Sequence, residues 1–219
     1  VFLPWKDDNP ARRTAWVTLA LIAANVGVFV WELASGPAAA FDRYGLIPSR
    51  LLAGQGLATL ATSAFLHAGV LHLASNVLFL WIFGHNVEAV LGPLRFAVLY
   101  AGAALGAHAA QVVAAPTSAV PTVGASGAIA GVLAAYVLRF PAARIHTFVY
   151  LIFIFGNFRI PAAVVIGVWF LAQVLGSLTT LGSVEVGGVA WFEHLGGFVT
   201  GGVLFPLLAG RSGRRVSRW

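Results

Sequence analysis

"PTVGASGAIAGVLAAYVLRFP" (Pro121–Pro141) is bounded by prolines and carries no charge before Arg139. Proline is tolerated at a helix start and disruptive inside a helix, so the two prolines punctuate the stretch. The residues between them, from Val123 to Phe140, read as one membrane-crossing helix. Gly127, Gly131 and Ala135 recur every four residues, a spacing that lets helix backbones approach closely in lipid. Ser126 lies near the start of this helix. A hydroxyl there has no bulk water to satisfy it, and a polar group inside a span is a functional hypothesis by default.

The whole chain agrees with a membrane setting. Of its 219 residues, 59% are apolar and 9% charged, against about 25% charged in ordinary soluble domains. So few charges cannot cover a water-facing surface. The net charge of +6 does not point to nucleic acid, because the basic residues sit at the ends of apolar stretches, as in membrane proteins. With no cysteine, thiol nucleophiles, disulfides and thiolate metal sites are excluded. The opening "VFLPWKDDNP" lacks methionine; it reads as a processed or trimmed end and is unlike a secretory signal.

About 20 apolar residues cross a bilayer, and six such spans are expected. They run from Thr14 to Ala34, Leu71 to Val87, Pro93 to Ala114, Val123 to Phe140, Pro161 to Leu181 and Val189 to Leu208. A polar segment (1–13) precedes them and a basic tail (210–219) follows, all within one membrane domain, 1–219. The apolar run Phe148–Phe155 is too short to span and reads as an interfacial connection. With six spans, eleven basic residues share one side: Lys6, Arg12, Arg13, Arg95, Arg139, Arg144, Arg159, Arg211, Arg214, Arg215 and Arg218. Arg43 and Arg50 take the other. The positive-inside rule then puts both termini in the cytoplasm, most simply across a bacterial inner membrane, with an organellar membrane as the alternative.

Spans two, four and six all start at the outer face, and each carries polar residues near its start. "HAGVLHLASN" brings His67, His72 and Asn76, "GASG" brings Ser126, and "WFEHLGG" brings His194. One or two turns inward is roughly 5–10 Å of depth. His194, Gly197 and Gly201 share one helix face. If that face meets span four, His194 comes within reach of Ser126 as the base of an activated serine. His72 and Asn76, four residues apart, share a face and suit an oxyanion hole. Glu193 points about 100° from His194 and should not orient its ring, so a Ser-His dyad is expected. His67 is a structural or accessory residue. His85, His108 and His146 have no partner pattern and read as interfacial or packing residues.

At these residues the chain resembles the rhomboid family of intramembrane serine proteases, over nearly its whole length. "GASG" resembles the family's GxSG, "EHLGGFVTG" its last-helix motif of a histidine followed by glycines, and "HAGVLHLASN" its HxxxxHxxxN. "EAVLGPLR" resembles the family's link between spans two and three. The resemblance implies an all-α, six-span bundle with Ser126 as nucleophile and His194 as base. His72, Asn76 and the Ser126 backbone N–H would form the oxyanion hole, with Gly124, Gly127, Gly131, Gly197 and Gly201 packing around the site. It implies cleavage of transmembrane-helix substrates near the outer face, admitted between spans two and five, with Trp169 and Phe170 as parts of a gate. No metal or cofactor is implied. The chain departs from the family at Ala58 and Thr59, where Trp-Arg is frequent, and at Ala130, where some members stack an aromatic on the histidine. Another side chain must then support His194.

Other classes fit less well. No H-E-x-x-H occurs, and Asp7, Asp8 and Asp42 lie outside the spans. An inverted repeat with broken helices, the mark of many transporters, is absent. The alternative to a protease is a catalytically silent rhomboid-like protein that binds membrane clients. Substrate identity and oligomeric state are not encoded in any readable feature.

Overall fold

The computed structural model describes residues 2–9, 14–151, 154–180 and 190–213. Arg12, Arg13, Glu185, the expected ends at Leu181 and Val189, and most of the basic tail lie outside the described residues. Among the described residues, four helices are long and apolar enough to cross a bilayer: α1 (Trp16–Ser35), α2 (Val70–Leu91), α3 (Pro93–Ala114) and α6 (Trp191–Gly210). α4 (Ser126–Arg139) and α5 (Ala162–Thr180) are apolar too, but the stretches of them that qualify as apolar helix are shorter than those four.

α4 does not start at Val123. Gly124 has φ +134°, outside the helical region, and Thr122 instead pairs with Leu46 in a short bridge. The helix therefore begins at Ser126 and has 14 residues, about 21 Å at 1.5 Å per residue, less than the roughly 30 Å hydrocarbon core. Every residue from Gly127 to Tyr136 is buried, which makes α4 the centre of the bundle. Small residues allow this. A methyl on Gly131 would lie 3.0 Å from the Gly197 carbonyl oxygen and 3.4 Å from Gly201 Cα. One on Gly197 would collide with the Gly127 backbone. Since Gly127 meets Gly197 and Gly131 meets Gly201, α4 and α6 run parallel. Gly106 lies against Thr200 and Gly102 against Leu204, so α3 runs antiparallel on another side of α6.

The all-α expectation is corrected by a three-stranded antiparallel sheet, in the order β1 (Phe2–Asp7), β2 (Arg144–Leu151) and β3 (Ile154–Pro161). The polar amino-terminal segment supplies an edge strand, and the stretch read as a connection forms the other two. Ile145, Thr147 and Val149 are buried while Arg144 and Tyr150 are exposed, the period-two alternation of a strand packed on one face. The sheet is tied to the bundle through Asp7. Its Oδ2 accepts hydrogen bonds from Asn86 Nδ2 (2.6 Å) and Tyr136 OH (2.7 Å). Beside it, Glu88 of "EAVLGPLR" caps α1, whose first N–H groups have no intrahelical acceptor. Its carboxylate takes the backbone N–H of Val17 (3.0 Å) and Thr18 (2.8 Å) and the Thr18 hydroxyl (2.8 Å).

At the opposite end of α4, the segment before α2 is fastened from two directions. Glu32 of α1 accepts the His67 backbone N–H (3.1 and 3.2 Å to its two oxygens). The Gly124 N–H donates to the Ser63 carbonyl at 2.9 Å. These bonds bring the starts of α2 and α4 together.

Candidate active site

Ser126 is the first residue of α4 and His194 the fourth of α6. Both sit in a first turn rather than deeper, because each helix starts later than its expected span. His72 and Asn76 are the third and seventh residues of α2. The parallel packing of α4 on α6 places Ser126 Oγ 2.7 Å from His194 Nε2, and both residues are partly buried.

The other ring nitrogen decides what this contact can do. His194 Nδ1 lies 2.6 Å from Gln173 Oε1 of α5, and Gln173 Nε2 donates to the Trp169 carbonyl at 3.1 Å. With the amide nitrogen on a carbonyl, the amide oxygen faces the ring and accepts Nδ1–H. Nε2 of a neutral ring then carries a lone pair, and the Ser126 hydroxyl donates to it. Trp169 also lies against the ring, with centroids 5.7 Å apart, and Trp191 meets it edge-on at 6.5 Å. These two indoles and Gln173 do the supporting that Ala130 cannot. Sequence reading missed Gln173, although a lone amide in the apolar run "AAVVIGVWFLAQVLGSL" was a usable signal.

His72 borders the same site. The Ala68 backbone N–H approaches its Nδ1 at 3.4 Å, which leaves Nε2 to carry the proton. A methyl on Gly124 would lie 2.8 Å from His72 Nε2 and 3.6 Å from Ser126 Oγ, so only a residue without a side chain fits between them. Its positive φ also suits glycine. Asn76 is 5% exposed, and its Nδ2 has no partner among the described residues. A buried amide donor left unmatched costs about 1–3 kcal/mol; this one is on the face shared with His72. The backbone N–H of Ser126, first in its helix, is also free of an intrahelical acceptor and lies at the positive end of the helix dipole.

His67 lies in the segment before α2. Its Nδ1 donates to the Phe65 carbonyl at 3.1 Å, and its ring packs edge-on against His72 at 5.1 Å. Burial, and then the neighbouring His72, hold its pKa down at about 4, so it is a neutral prop. His108 has partners after all: Nδ1 is 3.0 Å from Glu193 Oε1 and Nε2 3.3 Å from Ser63 Oγ, all buried. Glu193 thus turns to α3 and leaves its neighbour His194 alone. His146 Nε2 donates to Asp8 Oδ1 at 2.6 Å, joining β2 to the end of β1. That bond, ahead of nearby cations, holds the Asp8 carboxyl below its usual range. His85 Nδ1 pairs with the Trp81 carbonyl.

Residues 54–211 match the family model described as Rhomboid domain. RHOMBOID-like protein 12, mitochondrial, of Arabidopsis thaliana is 27% identical over 96% of this chain and 63% of its own length. Rhomboid protein 1, mitochondrial, of Saccharomyces cerevisiae is 31% identical over 83% of this chain and 50% of its own. Rhomboid protease GluP of Bacillus subtilis is 43% identical over 35% of this chain and 14% of its own. The chain therefore spans half to two-thirds of the length of the first two relatives. Relatives named mitochondrial stand beside a bacterial one and do not favour the bacterial inner membrane. The matched stretch holds Ser126, His194, Gln173, His72 and Asn76, and the chain is an integral, multi-pass membrane protein of the rhomboid family.

Proposed function

We propose that this chain is an intramembrane serine endopeptidase that cleaves transmembrane segments of other membrane proteins through an acyl-enzyme. The observation that carries the reading is the 2.7 Å approach of Ser126 Oγ to a His194 Nε2 whose partner nitrogen is already engaged. In the proposed first step Oγ attacks the scissile carbonyl carbon and its proton passes to Nε2. The new oxyanion is met by Asn76 Nδ2, the His72 Nε2–H and the Ser126 backbone N–H. Collapse expels the amine, which takes the proton from Nε2, and leaves the acyl group on Oγ. Water then attacks that ester, giving its proton to Nε2, and Oγ regains the proton as the acid product leaves. Preorganised donors of this kind are each worth about 2.7–4 kcal/mol in the barrier.

The scissile bond of a helical substrate is hydrogen-bonded and hidden, so helix-destabilising residues near it favour cleavage. Six crossings, cytoplasmic termini, a site opening to the outer side and substrate passage between α2 and α5 belong to the same proposal. So does a bacterial or organellar inner membrane as its location. Among the three relatives described, GluP is named a protease, which supports the activity. The test is cleavage of a single-span substrate in proteoliposomes by the wild type and by Ser126→Ala. Cleavage by the wild type alone is expected. Cleavage by neither leaves the silent client-binding reading, and cleavage by both removes Ser126 as nucleophile.

A further inference from the structure

Gln173 is 5% exposed and belongs to a helix whose outer face is apolar. On α5, Ala162, Val165, Ile166, Gln173 and Ser177 turn inward, while Val164, Val168, Leu171, Leu175 and Leu178 are exposed. A glutamine on the inward stripe of such a helix has a task or a partner, and here its partner is the imidazole that meets Ser126.

The amide's orientation is not free. Turned over, it would aim its oxygen at the Trp169 carbonyl oxygen and its NH₂ at His194 Nδ1. Nδ1 would then have to accept, the ring proton would move to Nε2, and Nε2 would no longer take a proton from Ser126. The bond to Trp169 excludes that arrangement, because two oxygens would face each other. The same stretch of α5 fixes the ring's tilt, since Trp169 lies against both His194 and Phe198, and Phe170 meets Phe198 with centroids 4.3 Å apart. One helix therefore supplies the acceptor, the constraint on that acceptor and the ring's neighbour.

We propose that Gln173 is a positioning residue that sets the tautomer of His194, and that the base is ready only while α5 is docked on α6. This rests on the protease reading above and adds a third member to the dyad, an amide where soluble serine proteases use a carboxylate. An amide accepts Nδ1–H without burying a charge in lipid, whose desolvation is costly. If α5 also moves to admit substrate, its return would rearm the base.

The test uses the full chain in detergent and compares wild type, Gln173→Leu, Gln173→Glu and Ser126→Ala. Measured are the rate of fluorophosphonate labelling at Ser126, kcat and KM on a single-span substrate, and the thermal unfolding midpoint. Loss of the orienting acceptor in Gln173→Leu should slow labelling and kcat by about 100-fold, the lower end of what general-base catalysis contributes. KM and the midpoint should stay near wild type. Gln173→Glu, which keeps an acceptor at the same reach, should recover at least a tenth of the wild-type rate. Wild-type rates in Gln173→Leu would overturn the proposal. So would equal losses in both variants, whether or not the midpoint falls, since an acceptor would then make no difference. A wild-type chain that neither labels nor cleaves would instead remove the protease reading itself.

Discussion

Asn76 poses the sharpest question at the scale of single residues, because it is buried with an unmatched donor on the helix face it shares with His72. If that donor waits for an oxyanion, its value appears in the transition state and hardly at all in substrate binding. Asn76→Ala should then lower kcat by about 100-fold with little change in KM, as seen when other oxyanion donors are removed. Steady-state kinetics on a single-span substrate checks this, and a rise in KM at constant kcat would speak for a binding role. Ser126, His194, His72 and Asn76 were legible in the sequence because each sits in a short motif whose spacing fixes a helix face. Gln173 was not assigned, because its partner is 21 residues away on another helix. No local periodicity states the register between α5 and α6. The empty position at Ala130 did announce that a support was needed, and Gln173, Trp169 and Trp191 supply it from elsewhere.

Among elements, α4 and α6 depend on a seam of glycines, and the first turn of α6 depends on a buried pair. Ser63 Oγ donates its proton to the Thr59 carbonyl at 2.6 Å, so His108 Nε2 must donate to Ser63. His108 Nδ1 then meets the Glu193 carboxyl at 3.0 Å. Removing one partner strands the other in a buried, apolar setting, which typically costs about 3–5 kcal/mol. His108→Ala should therefore lower the unfolding midpoint sharply, and His108→Ala/Glu193→Ala should recover part of the loss; no recovery in the double variant would mean the pair is not the source. The sequence offered no hint of this pair, since His108 and Glu193 are 85 residues apart and each looks isolated on its own helix. The sheet was not legible. The run Phe148–Phe155 read as a connection, and pairing with residues 2–7 is a long-range event that composition does not specify.

For the whole molecule, the distribution of basic residues carries the proposed orientation. Prolines, apolar lengths and glycine spacing were enough to find the four long apolar helices and the shorter α4 and α5 among the described residues. The short reach of α4 was hidden, because Gly124 and its neighbours are as apolar as the helix they precede. Positive-inside placement predicts that the loop after α1 and the sheet lie on opposite sides of the membrane. The chain has no cysteine, so single introduced thiols report cleanly. In sealed right-side-out vesicles, Gln55→Cys should react with an impermeant maleimide and Asn157→Cys should react only after permeabilisation. Equal reaction of both before permeabilisation would refute the topology.

Labelling of the full chain by a fluorophosphonate, with the adduct mapped by mass spectrometry, tests the central claim most directly. The account predicts one adduct, on Ser126, that disappears in His194→Ala. An adduct on another serine, or labelling of Ser126 undiminished in His194→Ala, would contradict it.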